Sequence, residues 1–362
     1  MAISHALDAV ARPAVRLIRE APVRGALTFQ RGAGPLAVFL PAYGPEGAAL
    51  LRIHAVARAL RSFGWRTVVM PWRLTLAQRR RILAGVRPDI LVMQGARHAL
   101  NRPGLYPGWP IVYDMDDADF HLPHLAEPVF GAMSGVAGVI AGSAYVADWC
   151  RAAGVARADV VWTGTAISPG PRVAQADRPG IVAWAQSAPA SYMAEASFVR
   201  EVMARLSRRR PGVRLRLYGR TDRDDPAFLE GFRTAGIKVE WRKKARYRDY
   251  LASFDDVAVG LAPLCPAAPF VRGKSFGKVL GYMDRHVPVM ASDVCEHGAF
   301  FDEKTGVISN DPDVWVNALD RLLGDAAARQ TMAEAAFARF RQRLSIGEAA
   351  RRVDGILREY LP

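Results

Sequence analysis

Short apolar runs alternate with loop residues and amphipathic stretches from residue 36 onward. Runs of this length, separated by helical patterns, favour buried strands of parallel sheets that are covered by helices on both faces. The series is interrupted once, by a polar stretch rich in proline and glycine. We therefore predict an α/β fold with two doubly wound sheets, which imply a cleft between them. The predicted strands are 36–40, 67–70, 89–93, 111–113, 139–141 and 160–162 in the first sheet, and 181–185, 213–218, 238–241, 257–261, 287–291 and 306–308 in the second.

The same pattern gives the domain boundaries. We predict an amphipathic amino-terminal extension at 1–27, a first domain at 28–165, a linker at 166–180, a second domain at 181–345 and a terminal helix at 346–362. Apolar residues recur at helical spacing in the extension, with arginines between them. This pattern is typical of a helix on a membrane surface, and equally of a helix packed on the core or of a frayed chain end.

Composition narrows the class of protein. A chain of 362 residues with 51% hydrophobic content supports a substantial core in each of two domains. Its three cysteines, Cys150, Cys265 and Cys295, are far apart, which argues against a disulfide framework or a zinc knuckle. No apolar run reaches the roughly 18 residues that span a bilayer. We expect a cytoplasmic protein, with contact to the inner face of the membrane as an option.

The net charge of +14 raises the question of nucleic acid. Only six of the 49 basic residues are lysine, which indicates a general bias towards arginine. No zinc-finger, recognition-helix or aromatic RNA-binding pattern accompanies the charge, so nucleic acid is not expected as a partner. An anionic nucleotide substrate or an anionic membrane surface explains the charge better.

The segment 270–293, FVRGKSFGKVLGYMDRHVPVMASD, concentrates candidate chemistry. The pattern predicts a loop, a helix, a tight turn and a buried strand. Gly273 would let backbone N–H groups approach a ligand, a helix would point its positive end at this loop, and Lys274 and Lys278 would share one helical face. These features predict a seat for a diphosphate. The candidate contacts in and after the segment are Arg272, Gly273, Lys274, Ser275, Lys278, Ser292, Asp293 and Glu296.

This segment resembles the donor-binding segment of GT-B glycosyltransferases, in the retaining, glycogen-synthase-like superfamily of the group 1 or family 4 type. The resemblance implies two Rossmann-like domains, an enzyme of the hexosyltransferase type, and a nucleotide-sugar donor bound mainly by the second domain. It also implies transfer with retention and without a metal or other cofactor. The acceptor would be a glycan, a lipid-linked molecule or a protein in surface glycan assembly, and the last helix would cross back to the first domain. Further matching stretches are 247–250, 258–264, 305–308 and 315–323, and more loosely 112–117 and 139–149.

Two glycines depart from the family pattern. Family members usually carry a glutamate at Gly281, which holds the ribose, and the wider superfamily has another at Gly273. Either Asp284, Asp293 or Glu296 replaces the ribose contact, or donor binding is altered. The alternative to an active transferase is a catalytically weakened GT-B protein that acts as a binding or scaffolding subunit. An epimerase or hydrolase of the same fold is a third option.

Candidate residues also follow strands elsewhere in the chain. Gly219 and Arg220 end the second strand of the second domain, where α/β sheets bind ligands, so Arg220 is a candidate phosphate partner. In the first domain, Gly44 precedes a helix that carries Arg52. The resemblance implies that Arg52 reaches towards the diphosphate. His98 follows the third strand and could touch the donor sugar.

Asp117 ends the acidic run Asp114-Met-Asp116-Asp117, which follows a predicted strand. Such a run could bind a metal or serve a dehalogenase-like phosphatase, but no lysine follows before Lys238. We expect Asp117 to orient the sugar or acceptor, or else to cap the next segment. The catalytic candidates are thus Lys274, Lys278, Asp117 and His98, with both lysines stabilising the departing diphosphate.

Three further motifs are set aside. Gly32-x-Gly34 precedes its strand, whereas a dinucleotide fingerprint follows one. Gly273-Lys274-Ser275 lacks the earlier glycine of a Walker loop, because Ala268 occupies that position. His121 and His124 have helical ligand spacing but no close third ligand, so no metal site is predicted.

Overall fold

A computed structural model describes residues 33–219 and 226–361, together with Val23, Gly25 and Gln30. The predicted extension at 1–27 falls almost wholly outside the described residues, and so does Arg220. The chain forms two compact units. Unit 1 contains the residues up to Thr163 and those from Ile346 onward, and unit 2 runs from Gly164 to Ser345.

Unit 1 is built on a six-stranded parallel sheet with strand order β2-β1-β3-β4-β5-β6. All residues of β1, β3, β4 and β5 are buried, as expected for strands that are covered on both faces. The strands are β1 (Leu36–Leu40), β2 (Arg66–Val69), β3 (Ile90–Gln94), β4 (Ile111–Met115), β5 (Gly138–Ala141) and β6 (Ala158–Val160).

Two helices of unit 1 begin at side chains that cap them. Thr75 and Gln78 form a reciprocal capping box at the start of α2, and Ser143 accepts a hydrogen bond from the Val146 N–H at the start of α4. The first helix, α1, is π-helical over Ala49–Ala55, α-helical over Val56–Ala59 and 3-10 helical over Leu60–Phe63. The others are α2 (Leu76–Val86), α3 (Pro123–Met133), α4 (Ala144–Ala152) and the last helix of the chain, α12 (Ile346–Arg358).

Helix α12 belongs to the core of unit 1 although it lies at the end of the chain. Its residues Val353, Ile356 and Leu357 join the same hydrophobic cluster as Phe39 of β1. The Trp65 indole also donates a hydrogen bond of 2.7 Å to the Asp354 carboxylate. Unit 1 is therefore completed only when the chain returns from unit 2.

Unit 2 contains a second six-stranded parallel sheet, with strand order β12-β11-β10-β7-β8-β9. Its core packs Trp184, Leu215 and Leu217 of the sheet against Trp315 and Leu319 of a covering helix. The strands are β7 (Ile181–Ala185), β8 (Arg214–Gly219), β9 (Lys238–Lys243), β10 (Val259–Ala262), β11 (Val289–Ala291) and β12 (Val307–Ile308). The helices are α5 (Met193–Arg209), α6 (Pro226–Arg233), α7 (Tyr247–Ala252), α8 (Leu280–Asp284), α9 (His297–Phe300), α10 (Pro312–Gly324) and α11 (Ala326–Arg343).

Each of the twelve predicted strands overlaps an observed one, so the prediction of an α/β fold with two doubly wound sheets is confirmed. Strands β1 and β7 match their predicted bounds. The starts of β6, β10 and β11 each differ from the prediction by two residues; β6 begins earlier because Ala158 pairs with Val139 of β5. In the part of the chain that the structure describes, no helix has the length and apolarity to cross a membrane.

Replacing Leu357 by alanine tests the contribution of α12 to unit 1. Leu357 is fully buried in the unit 1 cluster, so the cavity left by Leu357→Ala should lower the free energy of unfolding by about 2–5 kcal/mol. Thermal and urea unfolding measure this loss. Arg352→Ala, on the exposed side of the same helix, is the control and should unfold close to the wild type. Equal stabilities of the two variants would contradict the packing described.

Candidate functional site

The loops that follow β7, β10 and β11 emerge at one edge of the sheet in unit 2, because all its strands are parallel. We call this the carboxyl edge of unit 2. The loop after β10 runs from 263 to 279 and contains two 3-10 turns, Pro269–Gly273 and Phe276–Lys278. The loop after β11 begins at Ser292. These two loops hold most of the predicted donor contacts.

Ser292 joins the two loops through hydrogen bonds. Its hydroxyl oxygen accepts from the Leu264 N–H at 2.9 Å, and its N–H donates to the Ala262 carbonyl at 3.3 Å. The Glu195 carboxylate of α5 accepts a hydrogen bond from the Cys265 N–H at 2.9 Å. Ser292 is 3% exposed, so the structure gives it the role of positioning these loops.

Lys274 belongs to the loop after β10, between its two 3-10 turns. Its ammonium is 4.4 Å from the centroid of the Phe270 ring, a cation–π distance. It also lies near Cys295: burial raises the pKa of that thiol to about 12, and the charge of Lys274 acts in the opposite direction. Lys274 thus brings a positive charge to the junction of the loops.

The prediction that the helix after Gly273 already includes Lys274 and Lys278 is wrong. Lys274 and Ser275 have extended backbone, with ψ angles of 137° and 170°, and α8 begins only at Leu280. Lys274 and Lys278 therefore do not share a face of an α-helix. With five residues, α8 is also too short to offer the helix dipole that the prediction relied on.

Asp284 cannot supply the missing ribose contact. Its carboxylate is fully buried and accepts hydrogen bonds from the Ser168 N–H at 2.8 Å and the Ser168 hydroxyl at 2.5 Å. Arg172 donates a hydrogen bond to the backbone carbonyl oxygen of Asp284 at 2.6 Å. The carboxylate therefore anchors the linker. Asp293, by contrast, is exposed after β11, and Glu296 is half-buried in the same loop.

Gly281 faces packed side chains. A Cβ atom at this position would lie 2.8 Å from Cε2 of Phe254 and 3.2 Å from Cδ2 of Leu251. Tyr282, the next residue, donates its hydroxyl proton to the Ala183 carbonyl at 2.9 Å and accepts the Ala185 N–H at 2.8 Å. Helix α8 is thus held so close to its neighbours that position 281 has no room for a side chain.

His297 is a feature of the edge that the sequence analysis missed. The side chain is buried, and its Nδ1–H donates to the Ser292 carbonyl at 3.0 Å. Burial lowers the pKa of His297 to about 4, so the ring is neutral at physiological pH. Its position shortly after a predicted strand was the available signal, the same signal that selected His98.

The remaining predicted contacts of unit 2 have varied surroundings. Gly219 ends β8 beneath the Trp241 ring, which occupies the space that a Cβ would need. Gly273 is buried at the end of its 3-10 turn, and Arg272 is exposed beside it. Ser275 is half-buried. Their roles towards a ligand stay predictions.

In unit 1 the structure argues against a ligand role for Arg52. This side chain is 4% exposed and forms hydrogen bonds to both carboxylate oxygens of Asp114, at 2.9 and 3.1 Å from Nε and 2.9 Å from Nη2. Its Nη1 donates to the Val161 carbonyl at 2.8 Å and to the Thr163 hydroxyl at 3.1 Å. All three nitrogens are used inside the unit, so Arg52 ties α1 to β4 and the end of β6.

Asp117 is held by an arginine. Arg97 donates to the Asp117 carboxylate at 3.2 Å and to both oxygens of Asp119 at 2.5 and 2.8 Å. The short 3-10 turn that follows has Ala118 at its N-cap and no side-chain cap hydrogen bond at that residue. Asp116 accepts a hydrogen bond of 2.9 Å from Thr163. These carboxylates line the carboxyl edge of unit 1, where β4 ends.

His98 has backbone partners at both ring nitrogens. Nε2–H donates to the Trp72 carbonyl at 3.0 Å, and Nδ1 accepts the Leu100 N–H at 3.0 Å. Burial and the nearby Arg79 lower the pKa of His98, so it is a neutral ring that supports two loops. This geometry argues against its predicted contact with the donor sugar. Gly44 lies near Trp72, because a Cβ at position 44 would be 3.3 Å from the indole nitrogen.

Among the residues that the structure describes, no three His, Cys, Asp or Glu side chains cluster in a way that could hold a metal ion. His121 interacts through Nε2 with the Tyr145 hydroxyl at 2.8 Å.

Comparison with known proteins agrees with this architecture. Residues 196–355, which contain both loops of the carboxyl edge of unit 2, match the family model described as "Glycosyl transferase-like". The chain matches no curated protein sequence.

Solved structures with a similar fold include sucrose-phosphate synthase from Thermosynechococcus elongatus. That match has 14% identity and a TM-score of 0.70, over 90% of this chain and 98% of the other. Anabaena HepE in complex with UDP and glucose has 16% identity and a TM-score of 0.65, over 90% and 100%. A glycosyltransferase from Rickettsia africae has 12% identity and a TM-score of 0.66, over 91% and 99%. The chain thus has the GT-B fold, and its resemblance to GT-B glycosyltransferases is confirmed.

Introducing the family's glutamate by Gly281→Glu should destabilise unit 2. The new side chain would overpack Phe254 and bury a carboxylate among apolar groups, so we expect a loss of at least about 1–3 kcal/mol in the free energy of unfolding. Urea unfolding measures it. Gly355→Glu is the matched control, because nothing lies within 4 Å of a Cβ at that position. A Gly281→Glu variant as stable as the control would show that position 281 is open.

The buried His297 predicts a dependence of stability on pH. Its pKa is about 4 in the folded protein and near 6.5 when unfolded, so the unfolded chain binds the extra proton in this window. Stability should therefore fall as the pH drops from 6.5 to 4, by on the order of 2–3 kcal/mol from this residue. Thermal unfolding of the wild type and of His297→Asn, whose amide can still donate to Ser292, measures the difference. Parallel pH profiles would refute the assignment.

Proposed function

We propose that the protein is a glycosyltransferase that takes its sugar from a nucleotide diphosphate bound at the carboxyl edge of unit 2. The observation that carries this proposal is the position of Lys274 at the junction of the loops after β10 and β11. Both loops lie within the stretch that matches the family model. HepE, which shares the fold, has been crystallised with UDP and glucose, and this supports the same class of donor here.

The diphosphate would be bound mainly by fixed charges. The ammonium of Lys274 lies over the Phe270 ring, and Lys278, four residues later, is half-buried. Both lysines therefore belong to the same loop. Backbone N–H groups of the intervening turn add donors that need no charge. Such a seat does not depend on a helix dipole, which suits a segment where α8 is short.

These charges would also serve the chemical step. When the bond between the sugar and the diphosphate breaks, negative charge accumulates on the departing phosphate oxygen. Preorganised ammonium groups stabilise that charge more strongly in the transition state than in the ground state. We propose that Lys274 and Lys278 act in this way and that no metal ion is required. Transfer with retention is the outcome that the family resemblance favours.

The ribose contact would come from the loop after β11. At position 281 the Phe254 ring occupies the space that a side chain would need, and the Asp284 carboxylate is hydrogen-bonded to Ser168 of the linker. Of the three acids named in the sequence analysis, this leaves Asp293 and Glu296. We propose that one of them accepts hydrogen bonds from the ribose hydroxyls. The acceptor would be a glycan, a lipid-linked molecule or a protein. The net charge of +14 is compatible with a position at an anionic membrane surface.

One observation favours a second candidate function. Glycine occupies both positions at which the superfamily carries acids, and at 281 the space for a side chain is filled. A protein that keeps the donor seat but has lost turnover would act as a nucleotide-sugar binding or scaffolding subunit. Binding and turnover must therefore be measured separately.

Lys274→Ala should distinguish these functions. With a panel of UDP-, GDP-, ADP- and dTDP-sugars, we expect one donor to bind at micromolar concentration without metal, and Lys274→Ala to weaken that binding at least tenfold. Release of the nucleotide diphosphate should fall about 100-fold, the usual effect of removing one group that stabilises transition-state charge. Calorimetry measures the binding, and a coupled assay measures the release.

Lys304→Ala is the matched control, because Lys304 is an exposed lysine of the same unit whose position in the chain lies outside both loops. Donor binding without turnover would favour the scaffolding function. If no donor binds the wild type, or if Lys274→Ala binds as well as Lys304→Ala, the proposed donor seat is wrong.

A further inference from the structure

Four aromatic rings at the surface of unit 1, those of His121, Phe130, Tyr145 and Trp149, surround the buried ring of Phe120, and we call the five rings together the aromatic track. Phe120 stacks on Trp149 with centroids 4.1 Å apart and an angle of 2° between the planes. Tyr145 lies 6.0 Å from Phe120 and stacks on His121 at 5.9 Å. Phe130 meets Trp149 edge to face at 6.5 Å. The track therefore extends from the 3-10 turn after β4 along α3 and α4.

Packing does not account for the exposure of these rings. Phe130 is 65% exposed although the neighbouring residues Val129, Ala132 and Met133 are buried. His121 is exposed, and Tyr145 and Trp149 are half-buried. Exposed aromatic surface of this extent marks a binding site more often than a defect of folding.

The track begins at the carboxyl edge of unit 1. His121 lies four residues after Asp117, which ends the acidic run at β4, and Tyr145 is the second residue of the helix that follows β5. The parallel sheet brings both strand ends to the same edge. A molecule lying on the track would therefore extend from this edge down the side of the unit.

Helices α3 and α4 carry two acidic side chains and one arginine. Glu127 and Asp148 are exposed on α3 and α4, and α3 contains no lysine or arginine. Arg151 of α4 donates to Asp148 at 2.7 Å and to the Ala158 carbonyl at 2.6 Å, so its charge is largely compensated. This charge pattern disfavours an anionic membrane or a nucleic acid as the partner.

A sugar ring fits both properties of the track. The C–H groups on one face of a pyranose carry partial positive charge and can stack on the negative face of an aromatic ring. Its hydroxyl groups project from the rim, where the oxygen of the Tyr145 hydroxyl, which is hydrogen-bonded to His121, and the two carboxylates can accept hydrogen bonds. Tyrosine and histidine offer an apolar body with a polar tip, which suits such a ligand.

We propose that the aromatic track binds a glycan chain, and that this glycan is the acceptor of the transferase. The inference rests on the proposed function for its role as acceptor, whereas the binding of a glycan rests on the track alone. Since the rings are spread along two helices, several sugar residues would be bound at once. Affinity should therefore rise with the length of the chain.

The test uses the full-length protein on an array of bacterial surface glycans, together with cello-, malto- and chito-oligosaccharides of two and six residues. We expect at least one glycan class to bind, with the longer chain at least tenfold tighter than the shorter. Phe130→Ser should weaken this binding at least tenfold. Met193→Ser is the control, because Met193 is 63% exposed but lies in unit 2, and it should bind as the wild type does.

Two results would overturn the proposal. One is that no glycan binds, and the other is that Phe130→Ser binds glycans as well as Met193→Ser. Sedimentation with vesicles of phosphatidylcholine and phosphatidylglycerol is measured in parallel, and vesicle binding that needs Phe130 would replace the glycan with a membrane. Calorimetry with the same nucleotide-sugar panel is run on the same preparations. Phe130→Ser should leave the binding of the nucleotide sugar unchanged, so a failure of glycan binding can be distinguished from a failure of donor binding.

Discussion

The parallel arrangement of strands within each sheet is the constraint on which the rest of the structure depends. Because the strands of each sheet all run in the same direction, the loops that follow them all emerge at one edge. In unit 2 this brings the loops after β10 and β11 together, although their strands are separated by α8 in sequence. Ser292 then fixes one loop to the other through its hydroxyl, which accepts the Leu264 N–H, while its N–H donates to Ala262 at the end of β10. The charge of Lys274 acquires a defined place only because of this arrangement.

Close packing beneath that edge determines what the site lacks. Tyr282 forms hydrogen bonds with β7, and its ring passes so near β10 that a Cβ at Gly260 would lie 2.5 Å from it. This contact draws α8 towards Phe254 and leaves only glycine at position 281. The absence of an acidic residue at position 281 therefore follows from the packing of unit 2. A substitution at that position alone cannot restore the acid.

Much of the fold could be predicted from the sequence, because buried strands leave unbroken apolar runs and the linker leaves a cluster of proline and glycine. The site was less predictable. The extended backbone at Lys274 and Ser275 is fixed by contacts that no local pattern records. The partner of Arg52 is Asp114, which lies 62 positions away, so an exposed and a buried arginine look alike in the sequence. The aromatic track also went unrecognised, because its rings come from three separate elements.

The most direct test of the central claim is hydrogen–deuterium exchange of the whole protein with and without nucleoside diphosphates. If the carboxyl edge of unit 2 binds the diphosphate, one nucleotide should slow exchange in residues 263–279 and 292–298, and Lys274→Ala should abolish this protection. Exchange in the aromatic track should not change. Protection confined to other segments, or protection that persists in Lys274→Ala, would contradict the account.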